Sequence, residues 1–180
     1  MIPAGDKRIA FNAGNQMWHT DSSFKRVPAL ASLLSGREVP PEGGETEFAS
    51  MRIAYERLPD ATRRLLEGRV AIHSFEYSRG LVGQGLLSPE HDRATAQELV
   101  YTHRWQPGDL VMWDNRCVLH RGRPWDVGRY RRVMHRTTVA GDGPTAPDVA
   151  GIAVAPAREA DRAWCRAQLT AAGVPAAVLE

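Results

Sequence analysis

The sequence predicts a mainly β domain with peripheral helices. Its apolar runs are short and separated by Gly- and Pro-rich turns, which is typical of strands, whereas helical spacing is confined to a central pair of segments and to the C-terminal end. The chain has 180 residues, 43% of them hydrophobic and 24% charged, which suits one globular domain with a core. Disorder, a collagen-like chain and a disulfide scaffold are therefore excluded.

The first half of the chain predicts strands bracketing a helical pair. The strands are predicted at residues 8–12, 29–37, 46–48 and 70–77. We expect Ser50 to cap a helix over 51–58 and Asp60 to cap a second helix over 61–67, which Gly68 ends. Residues 78–97 show neither helical nor strand-like hydrophobic periodicity, which predicts a loop.

The second half predicts further strands and a separate C-terminal helix. The strands are predicted at residues 99–105, 110–113, 117–120 and 132–140, and the helix at 157–172. We therefore expect a β domain over 1–142, a Gly/Pro/Asp-rich linker over 143–156 and a helical extension over 157–180.

Charge and cysteine content limit the expected partners and compartment. The formal charge is only +2, which gives no case for nucleic-acid or membrane binding, and no run of ~18 apolar residues is present. Because the N-terminus lacks a secretory pattern, we expect Cys117 and Cys165 to be reduced thiols in the cytoplasm. The cations are nearly all Arg, which favours a small anionic ligand.

Three residues indicate a metal site. In a strand, His19 and Asp21 would point to one face, and His120 is the best candidate for a third ligand. Two His and one carboxylate leave open positions on the metal, which favours non-haem Fe(II). Alternatively, His19 and Asp21 form a local hydrogen-bonded pair and His120 lies on the surface, since this short motif is common by chance.

A second group of residues indicates an anion site. Arg132 and Arg136 share one face of the last predicted strand, and inward guanidinium groups are costly unless they meet anions. Thr46 follows a Gly-Gly turn and could donate its hydroxyl to the same anion. The alternative is that both arginines are solvated charges on an edge strand.

Four motifs in one order resemble the TauD/TfdA family of Fe(II)- and 2-oxoglutarate-dependent dioxygenases. Residues 18–24 read WHTDSSF, 43–48 read GGETEF, 108–121 read GDLVMWDNRCVLHR, and 131–139 read RRVMHRTTV. The stretches over 15–24 and 113–123 are most similar to the 2,4-dichlorophenoxyacetate dioxygenase branch. The resemblance covers roughly residues 11–142.

The resemblance implies a double-stranded β-helix, or jelly roll, that uses Fe(II), 2-oxoglutarate and O2. It implies His19, Asp21 and His120 as the iron ligands, and Thr46 and Arg132 as partners of the distal carboxylate of 2-oxoglutarate. Arg136 would lie near that carboxylate and an anionic group of the substrate. The implied reaction hydroxylates a C–H bond of a small anionic substrate and releases succinate and CO2.

Several alternatives stay open at this point. The substrate could be an aryloxyacetate whose ether is cleaved, or a sulfonate, an amino acid or a biosynthetic intermediate that is hydroxylated or desaturated. A truncated metal-binding jelly roll without turnover is a further alternative, and a structural zinc site is disfavoured because no Cys joins the ligand set. Assembly into a homo-oligomer is left open.

The sequence also departs from the family in length. Family members are longer at the N-terminus and between the counterparts of Arg79 and Leu99. We expect the sequence to omit parts of a longer protein, and the intact mass to exceed the 19.9 kDa of these residues.

Overall fold

The computed structural model describes residues 14–69, 71, 73 and 93–144, and all structural statements below concern these residues. Several predictions therefore lie outside the described residues. They are the strand over 8–12, most of the strand over 70–77, the part of the following loop over 78–92, the linker beyond 144, and the helix over 157–172.

Two three-stranded antiparallel sheets form the described part of the chain. In the first, β1 (Ala29–Glu38) lies between β4 (Leu110–Asp114) and β6 (Val133–Ala140). In the second, β2 (Thr46–Ser50) lies between β3 (Val100–His103) and β5 (Val118–Gly122). The prediction of a mainly β domain is confirmed for these residues.

The helices are short and lie between β2 and β3 in the chain. Helix α1 spans Met51–Glu56, and the Ser50 hydroxyl accepts a hydrogen bond from the backbone N–H of Ile53 at 3.4 Å, so the predicted cap is confirmed. Helix α2 spans Asp60–Leu66, and a 3-10 turn over Gln97–Leu99 leads into β3.

The prediction that Asp60 caps α2 is wrong. Asp60 is the first residue within the helix, and Pro59 stands at the cap position without a side-chain hydrogen bond. Proline fixes φ near the value that suits this junction, and the Asp60 carboxylate instead pairs with Arg63 one turn along the helix.

The core between the sheets combines aromatic rings with buried polar side chains. The rings of Phe48 and Trp113, one from each sheet, pack with their centroids 5.3 Å apart. The buried polar residues are Asp21, Ser32, Thr46, Glu47, Asn115 and His120. Because buried polar groups are costly without partners, their concentration in one core marks the region where function is expected.

A partly buried ion pair joins β2 to β5. The carboxylate of Glu47 accepts a hydrogen bond of 2.6 Å from Nε of Arg121, its partner in the strand register. The adjacent register pair is Phe48 with His120. The ion pair therefore fixes the alignment that carries His120 into the core.

Within the described residues, no helix combines the length and the apolar character that crossing a bilayer requires.

The turn before β2 requires glycine. Gly43 and Gly44 have φ values of 75° and 70°, in the left-handed region that favours glycine. A Cβ on Gly43 would lie 2.7 Å from the carbonyl oxygen of Pro124, and a Cβ on Gly44 would lie 3.0 Å from Cδ of Arg132. The turn thus allows the backbone to approach the segment that precedes β6.

We predict that Gly43→Ala destabilises the protein more than Gly68→Ala. Both substitutions place a side chain at positive φ, at a cost of about 1 kcal/mol, but a Cβ on Gly68 (φ 69°) meets nothing within 4 Å. Overpacking at Gly43 adds about 1–3 kcal/mol. Urea unfolding of both variants measures the difference, and equal losses would contradict the close approach at Gly43.

Candidate functional site

A single backbone bridge brings the two histidines together. The N–H of His19 donates to the carbonyl of His120 at 3.0 Å, the N–H of His120 donates to the carbonyl of His19 at 2.8 Å, and the ring centroids are 4.2 Å apart. His19 forms this β-bridge, but His19 and Asp21 do not lie together in one strand. The chain turns at Asp21, and Ser22 has a φ of 60°.

His19, Asp21 and His120 form a cluster with the donor set of a metal site. One ligand atom from each residue lies within 4.8 Å of the other two, and Asp21 and His120 are buried. Nε2 of His120 and Oδ2 of Asp21 are 3.9 Å apart, beyond hydrogen-bond distance. Two imidazole nitrogens and a carboxylate oxygen at this separation fit one divalent cation such as Fe(II).

The two imidazoles differ in their surroundings. Nδ1 of His19 lies 2.7 Å from the carbonyl oxygen of Met17, which can only accept, so Nδ1 carries a hydrogen. Burial, followed by the positive charge of a protonated His19, lowers the pKa of His120 to about 3, although Asp21 opposes the shift. Nδ1 of His120 is buried without a hydrogen-bond partner among the described residues.

The Asp21 carboxylate is held from two sides. The Ser32 hydroxyl on β1 donates to Oδ2 at 2.7 Å, and Nη1 of Arg136 on β6 donates to Oδ1 at 2.8 Å. Ser32 is fully buried, whereas the Arg136 side chain is 45% exposed. The structure thus places Arg136 at the candidate metal centre.

Arg132 has an environment of its own beside the Gly43–Gly44 turn. It precedes β6, its Nε donates to the carbonyl of Gly44 at 3.1 Å, and its guanidinium lies 5.4 Å from the centre of the Trp125 ring. Burial lowers the pKa of Arg132, and the Glu45 carboxylate opposes that shift. Among the described residues, no carboxylate forms an ion pair with this guanidinium.

The hydroxyl of Thr46 has a fixed direction. Thr46 is buried, and the indole Nε1 of Trp105 donates to its Oγ1 at 2.9 Å. An indole can only donate, so the Thr46 hydroxyl accepts this bond and its own hydrogen is available to another acceptor.

The strand register places Thr46 and His120 on one face. His120 pairs with Phe48 across β2 and β5, and Thr46 lies two residues from Phe48 on the same side of β2. The two side chains are therefore diagonal neighbours on adjacent strands, roughly 7–8 Å apart. A short dicarboxylate spans such a distance between a metal at His120 and a hydroxyl at Thr46.

The residues that support the candidate site residues could not be identified from the sequence. Ser32 lies within an apolar predicted strand, Asn115 lies in the motif over 108–121, and Trp105 ends the predicted strand over 99–105. A small polar residue in an apolar strand indicates a buried hydrogen bond. The partner in that bond depends on the strand register, which cannot be read from one sequence.

The family model for "Taurine catabolism dioxygenase TauD, TfdA family" matches residues 2–98 and 91–138, which together cover well over half of the chain. The chain belongs to the TauD/TfdA family. The two matched pieces overlap at residues 91–98.

Characterised relatives and a solved structure agree with this membership. The alpha-ketoglutarate-dependent 2,4-dichlorophenoxyacetate dioxygenase of Cupriavidus pinatubonensis is 36% identical over 74% of this chain. The (S)-phenoxypropionate/alpha-ketoglutarate-dioxygenase of Delftia acidovorans is 31% identical over 76% of this chain and 64% of its own length. The structure of AAD-2 in complex with Mn(II) and N-oxalylglycine has a TM-score of 0.68 at 37% identity, over 77% of this chain and 74% of that chain.

The chain spans 63% of the length of the Cupriavidus relative.

We predict that the protein binds one Mn(II) ion and that His120→Ala lowers the affinity at least about 100-fold, because one of three ligands is lost. Isothermal titration with Mn(II) measures the dissociation constant. His73→Ala is the matched control, since His73 is exposed and lies outside the cluster. Equal affinity in the His120 variant and the wild type would exclude His120 from the metal site.

Proposed function

We propose that the protein is an Fe(II)- and 2-oxoglutarate-dependent dioxygenase that hydroxylates a C–H bond of a small anionic substrate and releases succinate and CO2. The observation that carries the proposal is the alignment of His120 and Thr46 on one face, with the unpaired Arg132 beside the turn that precedes Thr46. This arrangement would place a bound metal at one end of the site and the groups that bind a carboxylate at the other.

His19, Asp21 and His120 are the proposed iron ligands. With 2-oxoglutarate, iron would supply the oxidation, in which one oxygen atom of O2 enters succinate and the other enters the substrate. The protein contributes two imidazoles, an oriented carboxylate and a site that burial protects from water.

Arg132 and Thr46 are the proposed partners of the distal carboxylate of 2-oxoglutarate. The guanidinium of Arg132 is largely buried and has no carboxylate partner in the described part of the chain, so an anionic ligand would offset the cost of its burial. The Thr46 hydroxyl has its hydrogen directed to a further acceptor because Trp105 occupies its oxygen. These contacts position the co-substrate rather than react with it.

Arg136 is the proposed partner of an anionic group on the substrate. Its side chain is the more exposed of the two arginines at the site and reaches Asp21 from β6. A divalent metal would neutralise much of the Asp21 charge, which weakens this ion pair and releases the guanidinium for a substrate anion.

The relatives support an aryloxyacetate as the substrate class. Hydroxylation of the carbon beside the ether oxygen gives a hemiacetal, which collapses to a phenol and glyoxylate. The likeness to AAD-2 also supports a jelly roll as the complete fold of which the two sheets are part. A metal-binding jelly roll without turnover is the second candidate, because the chain spans only 63% of its Cupriavidus relative.

The first experiment tests whether the site binds Fe(II) and 2-oxoglutarate together as a chelate. Fe(II) and 2-oxoglutarate are added without O2, and the visible charge-transfer band of the chelate is recorded. We expect a band in the wild type and none in His19→Ala, with His73→Ala as the control that keeps the band. No band in the wild type, or an unchanged band in His19→Ala, would refute the proposal.

The second experiment distinguishes the candidate functions. O2 is then admitted, and succinate is measured with an aryloxyacetate, a sulfonate and an amino acid. We expect succinate and phenol with the aryloxyacetate. Succinate stimulated only by another substrate would change the proposed substrate class, and no succinate with an intact chelate band would favour the protein without turnover.

We predict that Thr46→Val raises the apparent KM for 2-oxoglutarate about 10-fold with little change in kcat. A hydrogen bond to a charged group contributes about 1.5–3 kcal/mol, and valine keeps the shape without the donor. Thr138→Val on the exposed part of β6 is the matched control. Steady-state kinetics measure both constants, and an unchanged KM would remove Thr46 from the co-substrate site.

A further inference from the structure

A chain of buried hydrogen bonds ends on the carboxylate of Asp21. Nε1 of Trp113 donates to Oδ1 of Asn115 at 3.0 Å, and Nδ2 of Asn115 donates to the Ser32 hydroxyl at 2.9 Å. That hydroxyl donates to Oδ2 of Asp21 at 2.7 Å. All four residues are buried, and Ser32 has no exposed surface.

These hydrogen bonds can run in only one direction, from the Trp113 indole to the Asp21 carboxylate. The Trp113 indole is only a donor, so the Asn115 atom that faces it is the amide oxygen, and the Asn115 NH2 group faces Ser32. The NH2 group is also only a donor, so the Ser32 hydroxyl accepts there. Its single hydrogen is left for Asp21. The ring nitrogen of Trp113 thereby determines which way the Ser32 hydroxyl points.

Asp21 needs such support because of its place in the fold. It lies in a turn outside the sheets, whereas Ser32 and Trp113 are register partners on β1 and β4. Asn115 also ties down the turn, since its carbonyl accepts from the Thr20 hydroxyl at 2.7 Å. The sheet thus holds a carboxylate that the local backbone leaves free to rotate.

Arg136 does not provide equivalent support. It binds the other carboxylate oxygen, but its side chain is 45% exposed and it approaches from the open side of the site. Of the two donors to Asp21, Ser32 is the one that stays in place if Arg136 turns to another anion.

We propose that Ser32 is a positioning residue for the metal centre: its hydroxyl, oriented by Trp113 through Asn115, fixes the plane of the Asp21 carboxylate toward His19 and His120. This inference rests on the proposed function, because it assumes that Asp21 is a metal ligand. The same three residues would otherwise form a polar network that only stabilises the sheet.

The test is Ser32→Ala, with Co(II) as the probe. We expect the Co(II) dissociation constant to rise about 10–100-fold, as for the loss of a residue that orients a ligand, and the visible d–d bands of bound Co(II) to shift. Ser35→Ala, which removes a hydroxyl from the other face of β1, should change neither quantity. A purely structural role would lower the melting temperature without changing the bands.

A second variant keeps the proposal testable if Ser32→Ala does not fold. Asn115→Asp keeps the shape but offers the Ser32 hydroxyl a competing acceptor. The added negative charge would by itself strengthen the binding of a divalent cation. Weaker Co(II) binding in this variant supports the positioning role, and equal or tighter binding overturns it.

The outcomes separate this inference from the proposed function. If the wild type binds Co(II) and folded Ser32→Ala binds it equally well with unchanged bands, the role of Ser32 is refuted and the metal site stands. If the wild type binds no Co(II), both are refuted.

Discussion

The two backbone hydrogen bonds between His19 and His120 are the constraint on which the candidate site depends. They join a segment outside both sheets to β5, whose own alignment is fixed by the ladder with β2. Asp21 follows the bridge by two residues, and side chains of the sheet hold its carboxylate. The candidate ligands therefore take their places from contacts between segments that are distant along the chain.

This arrangement places an unusual amount of polar surface in a small core. Carboxylates, an imidazole and an amide are buried beside a few apolar residues such as Ala49 and Trp113. Each group is costly to bury alone, and most are matched by a donor or acceptor of fixed direction. One exception among the described residues is Nδ1 of His120. The guanidinium of Arg132 donates to the Gly44 carbonyl but has no carboxylate partner in this part of the chain, and it lies where the proposed function places the distal carboxylate of 2-oxoglutarate.

The sequence predicts the parts of this structure that depend on local chemistry. The strand predicted at 29–37 is observed as Ala29–Glu38, and Ser50 caps its helix, because apolar runs and capping hydroxyls act over a few residues. Asp60 shows the limit of such reasoning, since a preceding proline and a nearby arginine decide its role. The sequence predicts the grouping of His19, Asp21 and His120 from their residue types and from the family resemblance, whereas the turn that carries Asp21 is seen only in the structure.

Contacts set by long-range register could not be predicted from one sequence. Ser32 reaches Asp21 only because β1 pairs with β4 and β6 in one alignment, and a shift of one residue would turn its hydroxyl to the opposite face. The same alignment brings Trp113 beside Ser32 and Arg136 beside Leu34.

The two arginines of the site differ in ways that follow from where β6 begins. Arg132 lies before the strand, against the Gly44 carbonyl and the Trp125 ring, so its position is fixed and its burial demands a constant anionic partner. Arg136 lies on the strand and is half exposed, so it can exchange partners at little cost. A co-substrate that binds in every catalytic cycle suits the first environment, and a substrate that arrives after metal and co-substrate suits the second.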